Sequence, residues 1–280
     1  MGTAPLDLSR PFLPEALAGL SSIRGLDADD RRRMNQIRAV SYLHIFDQLE
    51  TCLADAVRVQ ATRDVDAREV LAPLLRLDAF DHNELFRRFE RAFVETFPVA
   101  PALVPRPTDL DEILVDAVPL SLLVFALHLK LVTQQHYLAC VRGDESLEPS
   151  FVQVLKEHWA MECGRASTAS SALAIQRALA EAPPGRVPSA LRDYRRIVFS
   201  CDDVLRRQSE LDVATLEVAR GAPLPPSDRE VILAAQFAAH RKTFITVAIV
   251  NAAFVYAIRS LGPSAPAMLA GIVSALSSRS

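Results

Sequence analysis

The chain has 280 residues, half of them apolar, and its 31 basic and 34 acidic side chains leave a net charge of −3. That much apolar mass can build a large core in one or two domains. The near-neutral balance, without a basic stripe or an aromatic-interleaved Lys/Arg segment, excludes an electrostatic case for nucleic acid. In chain order, residues 1–26 are Pro-rich and read as an irregular arm laid on the body. Asp27 or Asp29 then caps a periodic helix to about Arg63, with acidic residues in its first turn. Asp64 or Asp66 restarts a second helix to about Phe97. Residues 98–107 carry four prolines and must be a loop. A third helix runs from Thr108 to about Arg142, kinked at Pro119 and stopped by Gly143. The fourth covers about 149–182, and PPGRVP at 183–188 breaks it. The fifth covers about 189–220 and ends at Gly221. The sixth covers about 227–260 with Ser227 as its N-cap, and a short last helix follows.

No alternating strand pattern or Asn-Gly hairpin signal occurs. The pattern predicts an all-α chain, with residues 27–280 forming a single domain, and the helix lengths suit an extended bundle. The breaks are regularly spaced, but no repeated residue pattern accompanies them. The start of the chain lacks a basic segment followed by an apolar run, so no signal peptide is expected. Phe244–Ile258 is the most apolar stretch. It is too short to span a bilayer and reads as a buried helix, so no membrane partner is expected. Cys52, Cys140, Cys163 and Cys201 lie far apart and form no CxxC pair. They read as small buried thiols in a reducing cytoplasm. No Gly-rich phosphate loop, GxSxG elbow or HExxH occurs.

Polar residues on apolar helix faces are the useful signal. They are Glu50 in YLHIFDQLET, Asp78, His82 and Glu84 in RLDAFDHNELF, and His128 and Lys130 in LLVFALHLKLV. A lysine in that last setting reads as buried, and must then pair with a carboxylate or lose its proton. His158, Glu162 and Arg165 in HWAMECGR lie at i, i+4 and i+7 on one helix face. His-x3-Glu-x2-His at this spacing aims three ligands at a pair of irons. Here the third position is an arginine, which cannot coordinate a metal. Other polar residues have plainer readings. Glu84 with Arg87, Arg88, Glu90 and Arg91 reads as a solvated face. His128 reads as core, His136 and Tyr137 as packing, and Trp159 as a packing anchor. Glu210 and Asp212, with His240, Arg241 and Lys242, read as a structural polar layer between the fifth and sixth helices. Cys163 reads equally as a site neighbour or a small filler.

The runs MNQIRAVSYLHIFDQLE, HNELFRRF, LHLKLVTQQHYL, HWAMECGR and RRQSELDVATLEVARG together resemble the ferritin-like di-iron oxygenases, in the branch of p-aminobenzoate N-oxygenase. The resemblance covers roughly residues 30–260. It implies a ferritin-like helical bundle with additional helices, assembled as a homodimer. It also implies ligand positions at Glu50, Ala79, His82, Lys130, His158, Glu162 and Arg165. Ala79, Lys130 and Arg165 depart from the family pattern, and Asp78 is one residue out of register, a rotation of roughly 100° on a helix. By this carry-over the carboxylates Glu50 and Glu162 face the cations Lys130 and Arg165, which is near neutral without iron. Buried charges require such a balance. No cofactor is therefore expected and iron is disfavoured; if a single metal binds, its ligands are Glu50, His82, His158 and Glu162.

Three functions follow as expectations. The first is a cytoplasmic small-molecule enzyme that has lost the iron site. It would use Lys130, Arg165, Glu50, Glu162, His82 and His158 for proton transfer, cyclisation or elimination on an organic substrate. A buried lysine can also serve as a Schiff-base nucleophile. The family setting points to specialised-metabolite biosynthesis. The second is a non-catalytic binding module or partner subunit, in which the ion pairs are only structural. The third is a non-haem iron oxygenase in which Asp78 or Glu84 fills a gap.

Overall fold

The computed structural model describes residues 5–21, 23–75, 83–162 and 171–279, without the side chains of residues 83, 162, 171 and 172. Among these residues every regular element is a helix, as the absence of alternating patterns predicts. A four-residue α1 (Glu15–Ala18) interrupts the otherwise irregular N-terminal segment. The 36-residue α2 (Ala28–Arg63) begins where Asp27 accepts a hydrogen bond from the Asp30 amide at 2.8 Å. Asp64 then accepts from the Asp66 amide and opens α3 (Val65–Val70), followed by α4 (Ala72–Leu75) and α5 (Asn83–Thr96). The single helix expected over 64–97 is thus divided. Pro73 has no N–H with which to extend the α3 ladder.

Pro119 separates two helices rather than kinking one: α6 (Thr108–Asp116) and α7 (Pro119–His136). Ala117 and Val118 between them are extended, as crowding by the following proline ring favours for Val118. The freed Val118 amide donates to Asp193 Oδ2 at 3.0 Å. Past His136 the backbone widens into a π-helical turn, Tyr137–Val141, and Gly143 turns away with φ 84°. The expected fourth helix is found as α8 (Pro149–Glu162) and α9 (Ser171–Ala180). The 34-residue α10 (Val187–Arg220) closes on Gly221, whose left-handed φ of 72° suits a residue without Cβ. α11 (Pro226–Arg241) starts ahead of Ser227, so that serine lies inside the first turn and is not the N-cap. A second π-turn (Lys242–Thr246) and α12 (Val247–Ile249) follow. Asn251 then adopts an extended conformation and caps the Ala253 amide at 2.9 Å to begin α13 (Ala252–Ser260). The axis turns by 49° there, so the sixth helix does not run unbroken to 260. Among the described residues no single helix is long and apolar enough to cross a membrane. The last helix is α14 (Ala265–Ser277).

The helices form a bundle with α2 near its centre. α2 packs on α5, α6, α7 and α10; α10 packs on α7, α11 and α14; α8 lies against α5 and α7. A helix surrounded in this way buries polar side chains, here Asn35, Gln36, Arg38, Ser41, Asp47, Glu50 and Gln60. Buried polar groups need partners, and several of these bind backbone. Gln60 Nε2 donates to the Ala117 and Leu114 carbonyls at 2.7 and 3.0 Å, meeting groups at the end of α6 that the helix itself leaves open. Asn35 clamps the N-terminal segment: its Oδ1 accepts from the Phe12 and Leu13 amides and its Nδ2 donates to the Leu13 carbonyl. The Phe12 ring, fully buried, meets Phe89, Phe93 and Phe151 at centroid distances of 5.9, 6.2 and 6.1 Å. The arm therefore joins α2, α5 and α8 from outside.

Candidate functional site

Glu50 on α2 and His158 on α8 are 108 residues apart in sequence and meet inside the bundle. His158 Nε2 lies 3.3 Å from Glu50 Oε1, and the two residues are 1% and 2% exposed. Phe46, one turn before Glu50, and Phe86 on α5 stand nearly perpendicular to the imidazole at centroid distances of 5.6 and 4.8 Å. They fix its orientation and keep water away. Glu50 Oε2 is buried without a hydrogen-bond partner among the described residues. Asp47, one turn away on α2, likewise has an unpartnered buried oxygen, Oδ1. Burial pushes the Asp47 carboxyl up. The Arg87 guanidinium at 3.8 Å pulls it back and the neighbouring Glu50 adds to the rise.

Lys130 is buried in the middle of α7, 4% exposed, as its apolar flanks predict. α7 packs against both α2 and α8, the helices that carry Glu50 and His158. His82, Arg165, Asp78 and Ala79 lie outside the described residues, as does the side chain of Glu162. Glu84 is exposed and bound to Arg91 at 2.6 Å, so it does not fill a gap in a metal site. Cys52 and Cys201 are buried free thiols. Cys140 is only half-buried, contrary to the expectation of a uniformly buried set, and Cys163 lies outside the described residues.

Among the described residues no group of three or more His, Cys, Asp or Glu side chains could hold a metal ion. Glu50 and His158 offer two donors, fewer than a pair of irons needs. By themselves these two do not make up a di-iron ligand set. What they offer is a carboxylate–imidazole pair in an apolar wall, able to hold or move a proton between Glu50 Oε1 and His158 Nε2.

Beside this pair lies a second polar layer. Tyr42, two turns before Glu50, has its hydroxyl 2.8 Å from His136 Nδ1. Burial raises the phenol well above its usual value, and it pushes His136 down to about 3. With the imidazole neutral, Nδ1 accepts from the hydroxyl. His136 is thus a bonded partner as well as a packing residue. Farther along, Asp212 on α10 sits fully buried and accepts four hydrogen bonds. Ser41 Oγ, Gln236 Nε2 and His240 Nε2 reach Oδ2 at 3.0, 2.7 and 2.9 Å, and Gln208 Nε2 reaches Oδ1 at 2.8 Å. Arg38, buried to 1%, bonds to Gln236 Oε1 at 3.1 Å, and burial lowers its guanidinium to about 10 against the pull of Asp212. His240 is pushed down by burial and by Arg38, with Asp212 opposing. The neutral ring donates through Nε2, and its buried Nδ1 makes no hydrogen bond.

The polar layer expected between the fifth and sixth helices is therefore present, with Asp212 and His240 as members. Glu210 and Lys242 are exposed and take no part, and Arg241 instead forks onto Asp202 at 2.6 and 2.9 Å. Arg38, Ser41, Gln208 and Gln236 were not singled out by the sequence. For Arg38 and Ser41 the available signal was the density of polar residues along α2 between apolar neighbours. His128 is core as expected: its Nε2 donates to the Phe244 carbonyl at 2.6 Å and its Nδ1 accepts from the Tyr194 hydroxyl at 2.7 Å. Trp159 stacks on Tyr137 at 5.0 Å.

Several cavities open elsewhere on the described surface. One of about 550 Å³ lies between α3, α7 and α9, and one of about 320 Å³ between α5 and α8. One of about 560 Å³ lies beside the segment 104–107, and one of about 380 Å³ between α13 and α14. None of these four is lined by Glu50, Lys130 or His158. No protein-family model, no curated protein and no solved structure matches the chain.

Proposed function

We propose that this chain is a small-molecule enzyme on a ferritin-like bundle whose interior carries acid–base groups where the resembled family places iron ligands. The observation that supports this reading best is the buried Glu50–His158 contact, with Glu50 Oε2 lacking a partner among the described residues. A buried carboxylate oxygen without a donor is costly, and a substrate N–H or O–H would satisfy it. In this reading Glu50 takes a proton from the substrate, and His158, packed between two phenylalanines, stabilises or relays the charge. Lys130 stabilises negative charge on a carbonyl or carboxylate oxygen. His82, Glu162 and Arg165 complete the set by resemblance.

A second reading is a non-catalytic bundle in which these pairs only hold the core; Glu50 and His158 bond to each other and are 2% and 1% exposed. Two measurements separate the readings. The first is iron content of the purified protein before and after anaerobic Fe(II). One or two tightly held irons per chain would return it to the oxygenases. The second is a thermal-shift screen of small carbonyl and amino compounds on wild type, Glu50→Gln and Lys130→Met. Compounds that stabilise only the wild type support the enzyme reading. A screen in which folded variants respond like wild type to every compound supports the structural reading.

A further inference from the structure

From residue 231 onward the sequence holds Arg241, Lys242, Arg259 and Arg279 and no Asp or Glu, so the first 230 residues carry 27 basic side chains against 34 acidic ones. The fold keeps this asymmetry at one end of the bundle. α13 packs on α7, α9, α12 and α14, and none of these five helices contains an Asp or Glu. The same end exposes large apolar side chains: Val250 is 63%, Tyr256 73% and Val273 40% exposed. We propose that the α13–α14 end of the bundle docks on an anionic lipid surface, lying on it without crossing it. The groove there shares no lining residue with the Glu50–His158 site.

The surface centres on a groove of about 380 Å³ between α13 and α14, beside the 49° turn at Asn251. Val250 and Ile258 line one side and Leu269 and Val273 the other, with Arg259 as its one charged lining residue among the described residues. Tyr256 lies one turn before Arg259 on the exposed face of α13. Exposed Lys242 and Thr246 continue the outward run that ends at Val250. Neither Lys242 nor Arg259 makes an ion pair among the described residues. Nearby carboxylates do not offset them. Asp202 holds Arg241 at 2.6 Å and Asp203 holds Arg279 at 2.7 Å, so these four groups cancel. Glu181, past the end of α9, lines the cavity shared with α3 and α7 instead. Two cations are therefore left uncancelled, and both border the apolar surface.

Exposed apolar side chains flanked by cations, without carboxylates, are what a helix lying in a membrane surface presents. Phe244–Ile258 is too short to span a bilayer, but a surface contact needs no span. A tyrosine suits the headgroup level, where its ring meets acyl chains and its hydroxyl meets water. An anionic bilayer satisfies both halves of the surface at once. Its acyl region receives Val250, Tyr256 and Val273, and its phosphates face Arg259 and Lys242. Each cation held near such a surface is worth about fivefold in affinity. A second copy of the chain fits less well. A two-fold contact through this face would set Arg259 toward its own mate, and none of the five helices offers a carboxylate to answer it.

The test is co-sedimentation of the full chain with vesicles of phosphatidylcholine alone and of phosphatidylcholine containing about a third phosphatidylglycerol. Binding to the mixed vesicles is expected, about tenfold or more tighter than to phosphatidylcholine alone, and it should fall as salt is raised. Arg259→Glu reverses one charge and should weaken binding by about 25-fold. Tyr256→Glu should weaken it by about tenfold or more. Both side chains are exposed, so both variants should melt near the wild-type temperature. Val65→Glu, at an equally exposed apolar position on α3, should bind as wild type does. Four results would overturn the proposal: no binding to the mixed vesicles, equal binding to both vesicle types, unchanged binding in both patch variants, or an equal loss in Val65→Glu. A dimer in sedimentation velocity that Tyr256→Glu dissolves, with no vesicle binding by wild type, would also overturn it and assign the face to a second copy.

Discussion

Acid should weaken this fold at a pH where most proteins of similar charge are still near their optimum. The cause lies in three buried imidazoles. Burial pushes His128 down to about 4 and His136 to about 3, and His240 is lowered by burial and Arg38. In the unfolded chain each histidine titrates near 6.5. Above that value both states are neutral and nothing is lost. As pH falls through 6.5 the unfolded chain takes up protons that the fold refuses, so stability declines. The decline continues until the folded values are reached. Between pH 6.5 and pH 5 each such histidine costs about 1.5 kcal/mol, so His128 and His136 together cost about 3 kcal/mol. His240 acts in the same direction. Against a total of about 5–15 kcal/mol that is a large share. At roughly 2 °C per kcal/mol for a chain of this size, the melting temperature should drop by roughly 6 °C. His44 acts in the opposite direction and offsets a small part of this. Burial pulls it down, but Glu90 at 3.9 Å and the Val104 carbonyl raise it overall. Its contribution is fully present below about pH 6.5 and is lost only as pH rises through its folded value. The assay is differential scanning calorimetry at pH 7 and pH 5, repeated on His128→Gln, which keeps polar atoms for Tyr194 and Phe244. The variant should melt lower throughout but show a shallower pH slope, by about one proton. A wild-type melting temperature at pH 5 equal to or above that at pH 7 would refute the reasoning.

Further expectations concern the polar layer and the arm. Asp212→Leu strands four donors and removes the counter-charge of Arg38, which should cost about 3–5 kcal/mol in urea unfolding; the double variant with Arg38→Met should recover much of it. Additive losses in the double variant would mean that the two charges do not interact. Phe12→Ala empties a site between Phe89, Phe93 and Phe151 and should cost about 3–5 kcal/mol. Limited proteolysis should then cut first within residues 5–27, and cleavage elsewhere first would argue against a clamped arm. Gly25 has φ 87°, and a Cβ there would stand 2.9 Å from Asp228 Cγ. Gly25→Ala should therefore lower stability by about 1–2 kcal/mol, and a neutral melting curve would contradict the crowding.

Much of the secondary structure was legible because its signals are local. The Asp27 cap, the proline loop at 98–107 and the Gly221 stop each act within a few residues. The misread elements were decided from farther away. Pro119 looked like a kink because the sequence does not show that Val118 can leave the helix and bond to Asp193, 75 residues on. The two π-turns, YLACV and KTFIT, carry no proline or glycine signal. Glu210 and Asp212 looked alike in sequence, yet one faces water and the other is the most bonded carboxylate in the described core.

The sequence alone determined the all-α class, the long helix that ends near Arg63 and the burial of Lys130, Glu50 and His158. Periodicity and flanking apolar residues report which face of a helix is buried. Tertiary structure alone decided which buried polar groups meet. Glu50 finds His158, Asp212 collects Ser41, Gln208, Gln236 and His240, and Arg106 comes to share a cavity with Arg207 and Arg279. A helix face is set by neighbours three and four residues away. A polar partner is set by whichever helix packs against that face, and no spacing within one helix encodes which helix that is.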